Sequence, residues 1–262
     1  MRSRPVLAVL LGLLLLVAGC GDQHRTTRPA AAPAPTASTP EPAHTPAPTP
    51  SPTSKPKPRL RPKPKTLPAG LRRATGVRAV ALTFDDGPDP TWTPKVLDQL
   101  RAAHVKATFC VVGTQVRKHP ELVARIVREG HQLCNHSWRH DFDLGRRPEA
   151  EIRADLVRTN QAIRKAAPGA KVPFYRQPGG RWTPEVVAVA KQLGMRALHW
   201  TVDPQDWAKP SSATLTKRVE RAARPGAIVL MHDGGGDRSR TLDAVPHVIP
   251  DLKRRFGIAP PR

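Results

Sequence analysis

The chain has 262 residues, of which 43 are Lys or Arg and 21 are Asp or Glu, so its formal net charge is +22 at pH 7. A chain of this length is typical of one or two domains. A positive charge of this size favours an anionic partner, either a nucleic acid or an anionic surface. The Arg, Ala, Pro and Gly enrichment of a GC-rich genome would explain part of the same excess.

Residues 1–19 have the parts of a bacterial lipoprotein signal peptide. Two Arg residues precede an apolar run of 14 residues at 5–18, whereas a membrane-spanning helix needs about 20. A run of this length is typical of a signal-peptide core. It ends at Val17-Ala18-Gly19-Cys20, which resembles the site at which a bacterial Cys is acylated. We expect a lipid on Cys20 that anchors an exported protein to the outer face of the cell membrane. The alternative is an ordinary signal peptide before an incidental Cys.

Residues 20–70 differ in composition from the rest of the chain. Fourteen of the 31 prolines lie between Pro29 and Pro68, alternating with Ala, Thr, Ser, Lys and Arg and with almost no large apolar residue. Such a segment cannot bury enough apolar surface to offset the entropy of ordering it. We predict a disordered, extended spacer of about 3.1 Å per residue.

Residues 71–262 are predicted to form one domain with a sizeable core. This segment of 192 residues carries 33 basic and 19 acidic residues, a net charge of +14. Because the predicted export makes a nucleic acid a poor partner, we expect no nucleic acid and instead an attraction to anionic wall polymers or lipid headgroups.

Apolar, β-branched runs alternate with helix-like segments along the predicted domain. Strands are predicted at 77–84, 106–112, 132–135, 172–175, 195–202 and 227–231. Helical periodicity is found at 93–100, 122–127 and 148–166. This alternation predicts an α/β fold, a parallel barrel or an open sheet, with its chemistry at the carboxyl ends of the strands. A last strand beginning at 256–258 would be short or missing.

Five polar clusters stand at or just after the predicted strand ends. They are Asp85-Asp86-Gly87-Pro88, His136-Ser137-Trp138-Arg139-His140, Arg176-Gln177-Pro178-Gly179-Gly180, Asp203-Pro204-Gln205-Asp206-Trp207 and Leu230-Met231-His232-Asp233. Taken singly, each has a structural interpretation. Asp-Gly-Pro is a turn sequence, and two His residues four apart lie on one side of a helical turn. Asp206 could cap a helix, and His232 could be a buried, hydrogen-bonded residue.

In combination, the clusters predict metal-assisted hydrolysis. Two imidazoles and one carboxylate form a facial site for a borderline divalent ion and leave positions for water and substrate. A second carboxylate can take a proton while the first binds the ion, and a His from another part of the chain can handle a second proton. These groups suffice for the hydrolysis of an amide or an ester.

In order and content, the five clusters resemble the motifs of the NodB-homology polysaccharide deacetylases, carbohydrate esterase family 4 (CE4). The resemblance covers residues 78–255, and the string Thr83-Phe84-Asp85-Asp86-Gly87-Pro88 is highly specific. It implies a distorted (β/α) barrel with about seven parallel strands. It also implies an enzyme that deacetylates a glycan polymer with one divalent metal, Zn²⁺ or alternatively Co²⁺ or Ni²⁺.

The resemblance assigns the metal ligands and the base. Asp86, His136 and His140 would bind the metal. Asp85 would be the general base that takes a proton from the attacking water. Arg176 would orient Asp85 and keep it ionised.

The resemblance also assigns the acid and the substrate pocket. His232 would be the general acid for the leaving amine, and its partner Asp206 would raise its pKa. Trp207 and Leu230 would enclose the acetyl methyl group, and the backbone N–H of Gly179 would stabilise the oxyanion. Residue 179 is often aromatic in the family, so Gly at this position would remove one wall of the groove.

Three interpretations of the function stay open. An N-deacetylase of peptidoglycan N-acetylglucosamine is favoured, because a membrane tether suits an enzyme that remodels the wall. An O-deacetylase of acetylated xylan or a deacetylase of chitin oligosaccharides could use the same catalytic residues. An inactive wall-binding lipoprotein is the third, although such relatives usually lack a ligand or the base.

Cys110 and Cys134 lie in predicted strands that should be neighbours. An exported domain can join two such cysteines in a disulfide. The alternative is a pair of buried thiols that act as small apolar residues.

Overall fold

The computed structural model describes residues 60–62 and 64–262 of the chain. The predicted signal peptide, Cys20 and the spacer up to residue 59 lie outside the described residues. Within the described residues, no helix is long and apolar enough to cross a membrane.

The described part of the chain contains seven strands and seven α-helices, and most strands are followed by a helix. The strands are β1 Leu71–Arg72, β2 Ala81–Asp85, β3 Thr108–Val111, β4 Gln132–Asn135, β5 Phe174–Tyr175, β6 Arg196–Leu198 and β7 Ile228–His232. The helices are α1 Thr93–Ala102, α2 Gly113–Lys118, α3 Pro120–Arg128, α4 Glu149–Ala166, α5 Pro184–Gln192, α6 Ser212–Ala222 and α7 Ser239–Arg255. The six strands predicted from apolar runs are all present: four are shorter than predicted, β4 has the predicted bounds, and β7 is shifted by one residue. By contrast, β1, α2, α5, α6 and α7 were not predicted.

The strands form one parallel sheet in the order β1-β6-β5-β4-β3-β2-β7. The chain just after β6 reaches the far edge of this sheet, where Val202 forms a parallel bridge with Val229 of β7. The N–H of Thr201 also donates to the carbonyl of Ile228 (3.0 Å). The sheet therefore curls round on itself, which confirms the predicted distorted (β/α) barrel of seven parallel strands.

The strand expected after α7 is reduced to one bridge, between Val80 and Ile258. The N–H of Val80 donates to the carbonyl of Gly257 (3.0 Å), and the N–H of Ala259 donates to Val80 (3.1 Å). Two prolines follow at once, and proline has no N–H with which to continue a ladder. The last strand is therefore short, as expected.

Side chains alternate along each strand between the outer and the inner face of the sheet, so the domain has two hydrophobic clusters. Outward-facing residues such as Leu82, Phe84 and Phe109 pack in the large cluster against the helices. Inward-facing residues fill the barrel beneath its mouth: Ala81, Cys110, Cys134, Phe174, Leu198 and Ile228. Because Asp85 lies four residues after Ala81 on the same strand, it points inward as well.

The described end of the predicted spacer contacts the domain. The N–H of Arg61 donates to the carbonyl of Arg146 (2.9 Å), and the Arg146 side chain donates back to Arg61. The guanidinium of Arg61 also lies 3.8 Å from the carboxylate of Glu185. Residues that precede the predicted start of the domain at residue 71 therefore pack against it.

Cys110 and Cys134 are paired residues of the neighbouring strands β3 and β4. The structure joins them in a disulfide, with their Cα atoms 4.1 Å apart. Both side chains are fully buried inside the barrel. The disulfide hypothesis is confirmed.

We expect loss of this disulfide to destabilise the domain by about 2–4 kcal/mol, a typical cost of removing a native bridge. Cys110→Ala/Cys134→Ala should therefore lower the Tm, and reduction of the native protein should do the same. Mass spectrometry of the protein purified without reduction provides the direct check. Two alkylatable thiols in that sample would contradict the bridge.

Candidate active site

A cavity of about 460 Å³ opens at the carboxyl ends of the strands. Most of the residues singled out in the sequence line it: Asp85, Asp86, His136, His140, Gly179, Trp207, Leu230 and His232. The other two, Arg176 and Asp206, hydrogen-bond to residues of this lining. The fold therefore brings together all the predicted site residues of the domain.

Asp86, His136 and His140 form a three-residue group with suitable metal-ligand geometry. Oδ1 of Asp86 lies 3.4 Å from Nε2 of His136 and 3.1 Å from Nε2 of His140. One ligand atom from each residue lies within 4.8 Å of the others. Oδ1 of Asp86 is buried and accepts no hydrogen bond, which is costly for a carboxylate. A divalent ion at the centre of the group would satisfy this oxygen, so the donor set fits one borderline metal.

The tautomer of His136 supports the same conclusion. Its Nδ1–H donates to the carbonyl of Arg176 (2.8 Å), so Nε2 is the ring nitrogen that faces Asp86. Burial favours the neutral form of Asp86, but the imidazoles of His136 and His140 outweigh burial and hold its pKa well below the usual range. Asp86 is therefore an ionised ligand, and a divalent ion between it and Nε2 of His136 would take the place of an imidazole proton.

The loop from His136 to His140 is not a helical turn, so that prediction was wrong. Ser137 has φ 64° and His140 has φ 57°, and both values are incompatible with a right-handed helix. The backbone N–H of Trp138 donates to the carboxylate of Asp155 (2.7 Å) instead of to a helical carbonyl. The two imidazoles meet because of this irregular loop rather than through helical spacing.

Asp85 is held by a fully buried Arg176. Nη1 of Arg176 donates to Oδ1 of Asp85 (2.7 Å) and to Oγ1 of Thr83 (2.8 Å), while its Nε donates to the carbonyl of Leu198 (3.1 Å). The other carboxylate oxygen of Asp85, Oδ2, lies 3.7 Å from Nε2 of His136. One oxygen of Asp85 is thus fixed by the guanidinium, and the other faces the metal-ligand group.

His232 forms a buried pair with Asp206. Its Nδ1 lies 2.6 Å from Oδ1 of Asp206, and Oδ2 of Asp206 accepts from the backbone N–H of His232 (2.9 Å) and from Oγ1 of Thr241 (2.8 Å). Burial lowers the pKa of His232, but the hydrogen bond and negative charge of Asp206 outweigh burial. With smaller contributions from the carboxylates of Asp86 and Asp85, the pKa rises to about 9. The imidazole is therefore charged at neutral pH.

The cavity has an aromatic wall that the sequence did not reveal. Gly179 was expected to leave a gap, but a Cβ atom built on it would lie only 2.6 Å from the ring of Phe142. The prediction that Gly179 removes one wall of the groove was therefore wrong, because the ring of Phe142 fills that space. Trp207, on the same cavity, is 54% exposed, whereas Leu230 is buried at 4%.

Four lining residues were not assigned a role in the sequence. They are Phe142, Arg181, Trp200 and Asp203. The sequence does show a Phe two positions after the second His, but the direction of its side chain depends on the irregular loop at 136–140.

Residues 72–198 match the family model described as polysaccharide deacetylase. A chitooligosaccharide deacetylase from Bradyrhizobium sp. (strain ANU 289) is 46% identical over 198 residues, which cover 71% of this chain and 90% of that protein. A peptidoglycan-N-acetylglucosamine deacetylase from Bacillus cereus is 38% identical over 181 residues, which cover 68% of this chain and 83% of that protein.

A solved structure with a similar fold is that of a CE4 family pseudoenzyme from Bacillus anthracis. It has a TM-score of 0.68 and 31% sequence identity, and the match covers 74% of this chain and 68% of that chain. Sequence identity, family model and fold agree with one another. The chain is a member of the polysaccharide deacetylase family, carbohydrate esterase family 4.

Proposed function

We propose that this protein is a metal-dependent hydrolase that removes N-acetyl groups from the N-acetylglucosamine units of peptidoglycan. The main observation that supports the proposal is that three groups of residues lie at the same cavity. These are the three-residue metal-ligand group, a carboxylate fixed by a buried guanidinium, and an imidazole paired with a second carboxylate.

Asp86, His136 and His140 would hold the divalent ion. Two imidazoles and a carboxylate suit Zn²⁺, with Co²⁺ or Ni²⁺ as alternatives. When bound, such an ion polarises the acetyl carbonyl and lowers the pKa of water.

Asp85 acts as the general base in this mechanism. Arg176 holds one of its oxygens at 2.7 Å, so the other oxygen is oriented to take a proton from the attacking water. The backbone N–H of Gly179 would donate to the oxyanion that develops on the acetyl group.

His232 acts as the general acid. An amine is a poor leaving group unless it is protonated, and a pKa raised to about 9 keeps the proton on His232 at neutral pH. Trp207 and the buried Leu230 would enclose the acetyl methyl group, because both line the same cavity as His232.

The choice of peptidoglycan rests on the expected position of the protein in the cell. A lipid on Cys20 would fix it to the outer face of the membrane. The part of the predicted spacer that precedes the contacts of Arg61 with the domain would let the domain reach into the wall. The net charge of +14 over residues 71–262 would draw the domain toward anionic wall polymers by an attraction that salt screens.

A deacetylase of chitin oligosaccharides is the second candidate. It is favoured by the Bradyrhizobium relative, which carries that name and is 46% identical. An inactive binding protein is disfavoured, because each proposed ligand, the base and the acid are present in the cavity.

Loss of the metal should abolish activity. We expect chelation to remove acetate release and added Zn²⁺ to restore it, and we expect His136→Ala or His140→Ala to lower the bound metal measured by mass spectrometry. His247→Ala, which removes an exposed His of α7, is the matched control and should bind metal normally. Full activity in a chelated, metal-free sample would refute the metal site.

The pH profile should depend on Asp206. Because the pKa of His232 is raised, its proton is present below that pKa and is lost as the pH rises through it. Asp206→Asn removes the negative partner, so the pKa should fall and the alkaline limb of kcat should move to lower pH. An unchanged alkaline limb in this variant would exclude His232 as the acid.

Purified peptidoglycan should be a better substrate than acetylated xylan. The measurement is acetate release by the Zn²⁺-loaded protein from peptidoglycan, chitin oligosaccharides and acetylated xylan at equal acetyl concentration. We expect the fastest release from peptidoglycan. Faster release from the oligosaccharides would select the second candidate, and faster release from xylan would make the protein an O-deacetylase.

A further inference from the structure

Three large apolar side chains are exposed in the described part of the chain: Leu67 (46%), Phe142 (43%) and Trp207 (54%). Phe142 and Trp207 both line the cavity that contains the metal-ligand group. Exposed aromatic residues beside a functional cavity are typical of ligand contact, because solvent exposure of so much apolar surface is otherwise unfavourable.

Phe142 occupies the space directly beside Gly179. A Cβ on Gly179 would lie 2.6 Å from both Cδ1 and Cε1 of the Phe142 ring, so the two residues depend on each other. Gly179 also has φ 58°, a left-handed conformation that favours glycine. A residue with a side chain at 179 would therefore displace the ring.

The loop that carries Phe142 is fixed before any ligand binds. The buried side-chain amide of Gln177 donates to the carbonyls of Asp141 and Phe142 (both 3.2 Å). The Phe142 ring packs edge-on against His140, with centroids 4.8 Å apart, and the guanidinium of Arg181 lies 4.8 Å from its centroid. Because the ring is already ordered, little entropy is lost when a ligand packs against it.

Two cavities meet at Phe142. A second cavity of about 400 Å³ shares Asp86, His140, Phe142 and Trp207 with the first. The two aromatic residues thus border both spaces beside the metal ligands. A polymer that crosses the metal-ligand group would contact them on its way from one space to the other.

We propose that Phe142 is a specificity-determining residue that packs against a sugar ring of the bound glycan next to the unit that is deacetylated. A pyranose ring has an apolar C–H face that complements a flat aromatic surface. The inference rests on the proposed function for the identity of the polymer, a glycan that contains N-acetylglucosamine units.

The test is calorimetric binding of the N-acetylglucosamine tetramer to the full chain after the metal has been removed by chelation. Turnover is then absent, and any effect of Phe142 through the metal ligand His140 is removed. We expect Phe142→Ala to raise Kd about tenfold, the scale of one aromatic contact. Phe142→Tyr should bind like the wild type because it keeps the ring, whereas Phe142→Leu keeps apolar volume without a flat face and should bind weakly.

Leu67→Ala is the matched control, since it truncates an exposed apolar residue that does not line either cavity. Its Kd should equal that of the wild type. Equal Kd values for Phe142→Ala and the wild type, equal binding by the Leu and Tyr variants, or no tetramer binding by the wild type would overturn the inference. Aromatic-dependent binding without acetate release by the Zn²⁺-loaded wild type would refute the proposed function and leave this inference intact.

Discussion

The buried guanidinium of Arg176 is the interaction on which the site depends. A charge that is fully removed from solvent is tolerated only when it is paired and hydrogen-bonded, and Asp85 supplies the partner at 2.7 Å. The same residue orients a metal ligand, because its backbone carbonyl accepts from Nδ1 of His136. Replacing the Arg176 side chain would therefore leave the proposed base Asp85 without its partner, whereas the contact with His136 uses the backbone carbonyl, which other residues also have.

The division of work between two adjacent carboxylates follows from backbone geometry. Asp85 is the last residue of β2 and points into the barrel, where Arg176 holds it. Asp86 leaves the strand with φ 74°, which turns its carboxylate toward His136 and His140 instead of continuing the alternation of the strand. Two chemically identical side chains thus acquire different partners, and different roles can follow from those partners.

Sequence patterns predicted the elements and residues that obey local rules. The six apolar runs could be predicted as strands because a strand in a parallel sheet is buried on both faces and is therefore apolar along its length. The polar clusters that follow the strands meet at one edge because parallel strands have their carboxyl ends on the same side of the sheet. Helix α7 was missed, since Pro246 and Pro250 argue against a helix. Both prolines are exposed, however, and the buried face of Leu242, Val245 and Leu252 stabilises it. Phe142 escaped prediction because loop dihedrals alone decide where its side chain points.

The central claim is that Asp85 moves the proton while Asp86 binds the metal. The most direct measurement compares bound Zn²⁺ and kcat for Asp85→Asn and Asp86→Asn, prepared in the same way. The account predicts that Asp85→Asn retains the metal but loses roughly 10²-fold or more in kcat, the scale of general-base catalysis, whereas Asp86→Asn binds the metal weakly. Loss of the metal from Asp85→Asn with retention in Asp86→Asn would contradict the account and exchange the two roles.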